Sequence, residues 1–198
     1  HAAELIDYPA AARIKVAVLE LLYRHFCERH LGRGTPRAEA FRAFQARCGA
    51  ALRSHCVFEA LQESLHRVDP SVTGWLAWPD ALRDADSPEV QAFAAANAER
   101  VEFFEYLQWQ FDEQLCAVKT RAQELGLGVG LDLDLAVSVD KAGSESWAKQ
   151  DCYAGSASVG APPDEWNLLG QDWGLPPLIP ERLREARYAP FISVMREN

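Results

Sequence analysis

Methionine is scarce, positive charge is in deficit, and neither a Cys-x-x-Cys pair nor a long apolar run occurs. A single methionine, Met195, stands in 198 residues that begin at His1, as expected of an excised segment or of a processed chain. Cys27, Cys48, Cys56, Cys116 and Cys152 form an odd set. That argues against a disulfide framework and for thiols in a reducing compartment, so the cytoplasm is expected. No apolar run approaches the roughly 18 to 20 residues of a membrane span, and His1–Asp7 lacks the basic segment and apolar stretch of an export signal. Lys and Arg number 20 against 29 Asp and Glu, a net charge of -9. The electrostatic footprint of a nucleic-acid or anionic-membrane binder is therefore missing, and neutral or cationic ligands fit better.

What is present is a globular composition, 48% hydrophobic and 25% charged, able to bury a sizeable core. Gly and Pro crowd the second part: six of the 11 prolines fall between Pro162 and Pro190. Before Gly126 the chain reads as helices. Asp7 caps a first helix from Pro9 that carries Ile14, Val18, Leu21, Leu22 and Phe26 and stops near Gly32. Thr35-Pro36 starts a helix through Ala40, Phe41, Phe44 and Cys48, and another carries Leu52, Cys56, Leu61 and Leu65 to Asp69-Pro70. Ser71–Asp86 reads as a loop with a short turn. Ser87-Pro88-Glu89 restarts a helix with Val101, Phe104, Phe111, Leu115 and Val118 on one stripe, ending at Gly126.

From Val129 to Val139 the apolar period becomes two, which predicts a strand whose second face is small or acidic. From there to Leu178 no period holds, the mark of a functional loop, and Trp147, Trp166 and Trp173 argue that it is ordered. Pro180 and Pro190 open short closing helices. The expected fold is mainly α: a helical unit over residues 1–125, then a strand, a long ordered loop and a closing helix over 126–198.

Several clusters call for a chemical reading. His25 and His30 are five apart, whereas two-His helical metal sites use a spacing of four, so packing and surface roles account for them. Glu102, Glu105, Asp112 and Glu113 share a helix without a Glu-x-x-His pair and read as a solvated face. Asp132 and Asp134 point the same way on the expected strand; they fit either a polar strand face or a carboxylate pair of glycosidase type. The most informative stretch is Gly160-Ala161-Pro162-Pro163-Asp164 followed by Gly170-Gln171-Asp172-Trp173-Gly174-Leu175-Pro176-Pro177. Prolines stiffen it and glycines allow reversals, while Asp, Gln and Trp supply an acceptor, an amide and a flat apolar face. Sugars ask for that combination, polar partners for hydroxyls and an aromatic platform for C–H faces.

Read with its neighbours, this loop resembles the 4-alpha-glucanotransferases called amylomaltase or disproportionating enzyme, in the α-amylase clan. Leu5-Ile6-Asp7-Tyr8 with Leu19-Glu20-Leu21-Leu22-Tyr23-Arg24-His25-Phe26 is similar to the segment entering that family's helical insertion. Tyr106-Leu107-Gln108-Trp109 is similar to its long helix, and Asp134-Leu135-Ala136-Val137 to a barrel strand. Ser158 through Pro177 looks like the loop lining the glucan cleft, and Tyr188-Ala189-Pro190-Phe191-Ile192 like the helix beyond.

The resemblance implies transfer of α-1,4-glucan segments between maltodextrins by a retaining double displacement in a (β/α)8 barrel, without a cofactor. The family's nucleophile lies in an Arg-Ile-Asp-His motif beyond the helix at Tyr188, and that motif does not occur here. The chain thus resembles an internal fragment with no catalytic residue of its own, expected to be inactive alone. Matching cleft positions, Asp164, Gln171 and Trp173 are the expected glucan ligands, supported by Trp147, Asp134 and Asp140. In place of the family's Tyr-Arg pair before that Asp-Leu-Ala-Val, the chain carries Asp132-Leu133. A stand-alone helical carbohydrate-binding or interaction module using Trp166 and Trp173 is the alternative. An isolated barrel strand would also expose two edges and favour self-association.

Overall fold

The structure, a computed structural model, describes residues 5–197. The reading of His1–Glu4 as free of an export signal lies outside the described residues. Helix α1 (Tyr8–Arg29) starts where the side chain of Asp7 accepts the Ala10 N–H at 2.9 Å. Helix α2 (Pro36–Val68) starts at Thr35, whose hydroxyl accepts the Ala38 N–H and also pairs with His30 Nδ1 at 2.9 Å. The two helices expected between Pro36 and Asp69 are present within α2, meeting at a kink where Gly49, at φ 55° and ψ -132°, leaves helical geometry. A 3-10 turn (Trp75–Ala77) and the short α3 (Asp80–Arg83) fill the expected loop.

Ser87 then caps α4 (Pro88–Ala96) through its hydroxyl. Asn97 separates α4 from the long α5 (Ala98–Glu124). Helix α5 ends as expected: the Gly126 N–H reaches Gln123 O at 2.9 Å and the Leu127 N–H reaches Ala122 O at 3.1 Å, the paired bonds of a Schellman stop.

Two aromatic groups hold these helices together. Phe26, Phe41, Tyr106 and Trp109 join α1, α2 and α5, with ring centroids 5.0 Å apart for Phe26–Tyr106 and 5.3 Å for Phe41–Trp109. Phe58, Trp78 and Trp147 form the second group, 5.0 to 5.7 Å apart. The carboxylates expected on a solvated face of α5 instead clip α5 to α2: Arg37 meets Glu113 at 3.2 Å, Arg47 meets Asp112 at 2.8 Å, Arg53 meets Glu105 at 3.5 Å, and Arg42 meets Glu102. Glu105 is buried outright. Arg spacing along α2 had to be read against α5 to see this.

Beyond Gly126 the sequence expectation fails in one place. Residues 129–139 are irregular, not a strand, and Val129 and Val137 are exposed. An alternating segment becomes a strand only when a neighbouring backbone satisfies its N–H and C=O groups, and among the described residues none pairs with it. The edge-driven self-association expected of that strand loses its basis. Helix α6 (Ser144–Ala148) follows, then a hairpin of β1 (Val159–Ala161) and β2 (Gln171–Leu175). The pairing is antiparallel, Gly160 opposite Asp172 and Ala161 opposite Gln171, with an irregularity between Val159 and Gly160. Helices α7 (Pro180–Glu185) and α8 (Ala189–Glu197) close the chain near the expected prolines. Among the described residues no helix is long and apolar enough to cross a membrane.

Candidate functional site

The hairpin owes its shape to close approaches. A Cβ on Gly160 would stand 1.9 Å from Gln171 O, so only glycine lets the strands meet. At the tip, Asp164 Oδ1 accepts the N–H groups of Trp166 at 2.9 Å and Asn167 at 2.6 Å, turning the chain after the paired prolines. Asp164 therefore shapes the turn with one oxygen and leaves the other exposed. Trp166, Leu168 and Leu169 stand out at this tip, each at least 80% exposed.

On β2, Gln171 and Trp173 are two residues apart and share a face. The Trp173 indole N–H donates to Gln171 Oε1 at 3.0 Å. That bond orients both groups: the ring, 43% exposed, offers a flat apolar surface, and the amide NH2 of Gln171 is left to donate. Asp172, on the opposite face, accepts from Ser158 Oγ and from the Gly174 N–H at 2.9 Å. The Ser158 bond first, then the Gly174 N–H, hold its carboxyl below the ordinary value. Asp172 is a brace that the sequence did not single out, visible only once Ser158 lies across the hairpin.

Apart from the hairpin, an open cleft of about 790 Å³ lies between α2, α5 and the turn after residue 139. Glu59, Gln62, Glu63 and His66 of α2 line it with Phe104 of α5 and Asp140. Two of its four carboxylates are paired with a cation: Arg100 Nε donates to Glu63 at 2.7 Å, and Lys149 meets Glu145 at 2.8 Å. The α2 residues form a polar stripe, His55, Glu59, Gln62 and His66 at helical spacing, which sequence reasoning passed over in favour of the apolar stripe beside it. No three His, Cys, Asp or Glu side chains gather as a metal shell among the described residues.

Glu59 is the titrating member of this wall. Burial raises its carboxyl above the ordinary value, His55 opposes the rise, and Glu63 adds to it. Between the ordinary and the raised value the folded state holds a proton that the unfolded chain has released, so stability falls as pH rises through that window. Glu59→Gln is expected to raise Tm at neutral pH and to flatten the pH dependence of Tm above about pH 4 to 5. Thermal unfolding across pH checks this, and an unchanged slope would place the proton elsewhere.

Of the six expected ligand residues, the structure groups Gln171 and Trp173 on one face, with Asp164 at the tip of the same hairpin. Asp140 lines the cleft, its Oδ1 accepting the Ala142 N–H at 2.8 Å. Asp134 is exposed on the irregular 129–139 segment, outside the cleft wall. Trp147 is corrected: it is 1% exposed in the core between Phe58 and Trp78, and its indole N–H is committed to Leu82 O at 3.1 Å. A ring enclosed by rings has no face left for a ligand.

A sequence model of the 4-alpha-glucanotransferase family matches residues 1–198. The chain belongs to the 4-alpha-glucanotransferase family. Relatives agree: it is 39% identical to the 4-alpha-glucanotransferase of Mycobacterium tuberculosis (strain ATCC 25618 / H37Rv) over 99% of this chain and 26% of that protein. It is 29% identical to the enzyme of the same name from Haemophilus influenzae over 98% of this chain and 28% of that protein. The chain thus spans about a quarter of the length of these glucanotransferases. Among solved structures, amylomaltase from Corynebacterium glutamicum superposes with a TM-score of 0.69 at 31% identity, covering 92% of this chain and 22% of that one. Amylomaltase from Streptococcus agalactiae in complex with acarbose gives 0.76 at 19% identity, covering 96% and 37%, a likeness of fold.

Proposed function

We propose that the protein carrying this chain transfers α-1,4-glucan segments between maltodextrins by a retaining mechanism in a (β/α)8 barrel, and that this segment supplies a helical insertion and one side of the glucan-binding cleft. The observation that carries the cleft assignment is the Trp173 ring, fixed by its bond to Gln171 beside an outward amide. A polyol with alternating hydroxyl and C–H faces needs those two groups side by side, and a prearranged pair lowers the ordering cost of binding. Membership in the 4-alpha-glucanotransferase family and a structural neighbour in complex with acarbose support the ligand class. The segment brings binding surface and no family nucleophile, so by itself it is inactive.

Titrating the chain with maltoheptaose while following tryptophan fluorescence tests this reading. Saturable quenching is expected, at least tenfold weaker in Trp173→Ala, which is about 1.4 kcal/mol of binding. Equal affinity in the variant would remove the hairpin from the cleft. Glucose and longer dextrins from maltotriose, released by the 198-residue chain alone, would overturn its inactivity.

A further inference from the structure

Asp140 lines the cleft on the turn that follows residue 139. What holds it comes from the helical body. Gln62 of α2 accepts the Gly74 N–H at 2.7 Å and the Trp78 indole N–H at 3.1 Å with one oxygen, and donates to Val72 O at 2.8 Å. That fixes the 72–78 loop, which in turn grips the turn. The Trp75 backbone N–H reaches Ala142 O at 3.2 Å, and its indole N–H reaches Ser146 Oγ at 3.1 Å. Gly74 lies so close that a Cβ there would stand 2.5 Å from Ala142 Cβ, at a φ of +81°.

Ser146 is the buried centre of this grip, 4% exposed. Because its oxygen accepts the indole N–H, its own proton is directed to the carbonyls on the other side: Asp140 O at 2.8 Å, with Lys141 O and Gly143 O each at 3.0 Å. A further tether runs from the helices, as Gln108 Nε2 donates to His55 Nε2 at 3.3 Å and leaves His55 Nδ1–H to donate to Ser144 Oγ at 2.9 Å.

We propose that Ser146, with Trp75, is a positioning residue for the glucanotransferase site: it fixes the backbone of Asp140 against α2, so that the Asp140 oxygen not bonded to Ala142 accepts a hydroxyl of the bound glucan. The helical unit then sets the geometry of one wall of the cleft. This inference rests on the function proposed above.

The test is a set of steady-state measurements on the full-length protein with maltotriose. Asp140→Asn is expected to raise KM about tenfold with kcat changed less than twofold. Ser146→Ala and Trp75→Phe, which each delete one partner of the same bond, are expected to raise KM about three- to tenfold, the range one hydrogen bond supports. In the Asp140→Asn background neither adds more than twofold, because both act through that carboxylate. Thermal unfolding of each variant separates a misplaced turn from a lost fold. Multiplicative effects of Ser146→Ala and Asp140→Asn would overturn the positioning role, as would an unchanged KM in Asp140→Asn. In both cases the proposed transfer activity survives in the parent protein; a parent protein without transfer activity would remove both readings.

Discussion

Gly160→Ala is expected to open the hairpin and abolish maltoheptaose quenching, while the helical body keeps its Tm to within about 2 °C. The reason is local. The added methyl would stand 1.9 Å from Gln171 O, a backbone atom that can yield only by moving β2 away from β1. Overpacking of this kind costs about 1 to 3 kcal/mol, more than a pair of three- and five-residue strands can absorb. Gln171 and Trp173 would then lose their common face. The aromatic groups of α1, α2 and α5 lie elsewhere, so global unfolding hardly senses the change. Parallel titration and thermal unfolding check both halves, and wild-type affinity in the variant would show that hairpin shape is dispensable for binding.

Trp147→Ala is expected to do the opposite, lowering stability by about 3 to 5 kcal/mol. The ring fills the space between Phe58 and Trp78 and satisfies Leu82 O; its removal leaves a cavity and an unpaired carbonyl together. For a chain of this length the corresponding drop in Tm is on the order of 10 °C. Trp173→Ala, at the surface, is expected to change stability by no more than about 0.5 kcal/mol. Denaturant unfolding of the two variants therefore sorts one tryptophan as core and the other as ligand face. A Trp147→Ala protein of wild-type stability would return Trp147 to the cleft.

Helix boundaries were legible because they are written in local chemistry. Asp7, Thr35-Pro36, Ser87-Pro88 and Gly126 each satisfy or terminate backbone groups within a few residues of themselves, and each does so where the sequence indicates. The 129–139 segment was misread because alternation describes which side chains share a face, while a strand also needs a partner that the sequence does not display. The hairpin escaped notice for the converse reason: strands of three and five residues are too short to show a period, and their pairing depends on Gly160 meeting Gln171. Composition likewise treats Trp147 and Trp173 alike. Only their surroundings separate them, a ring cluster in one case and an amide at an open strand in the other. Of the candidate site, the Gly-Pro-Trp loop was readable from the chain, and the α2 wall of the cleft was not, since its residues become neighbours of Asp140 only through the 72–78 loop.

The four arginines of α2 and the four carboxylates of α5 set where a bent helix lies on a second one. Three of the pairs are partly exposed and worth little, about 0 to 1 kcal/mol each, and the buried Glu105 met by Arg53 is the exception. Arg37, Arg42 and Arg47 hold the part of α2 before the kink at Gly49 and Arg53 holds the part after it, so a slip of one turn in either part, about 5.4 Å, separates its own pairs. The clips thus add more to the choice of alignment than to cohesion, and alignment is what the loops at the ends of these helices inherit. A slip of one turn in the part after Gly49 would carry Gln62 with it and break its bonds to the 72–78 loop that grips the turn of Asp140.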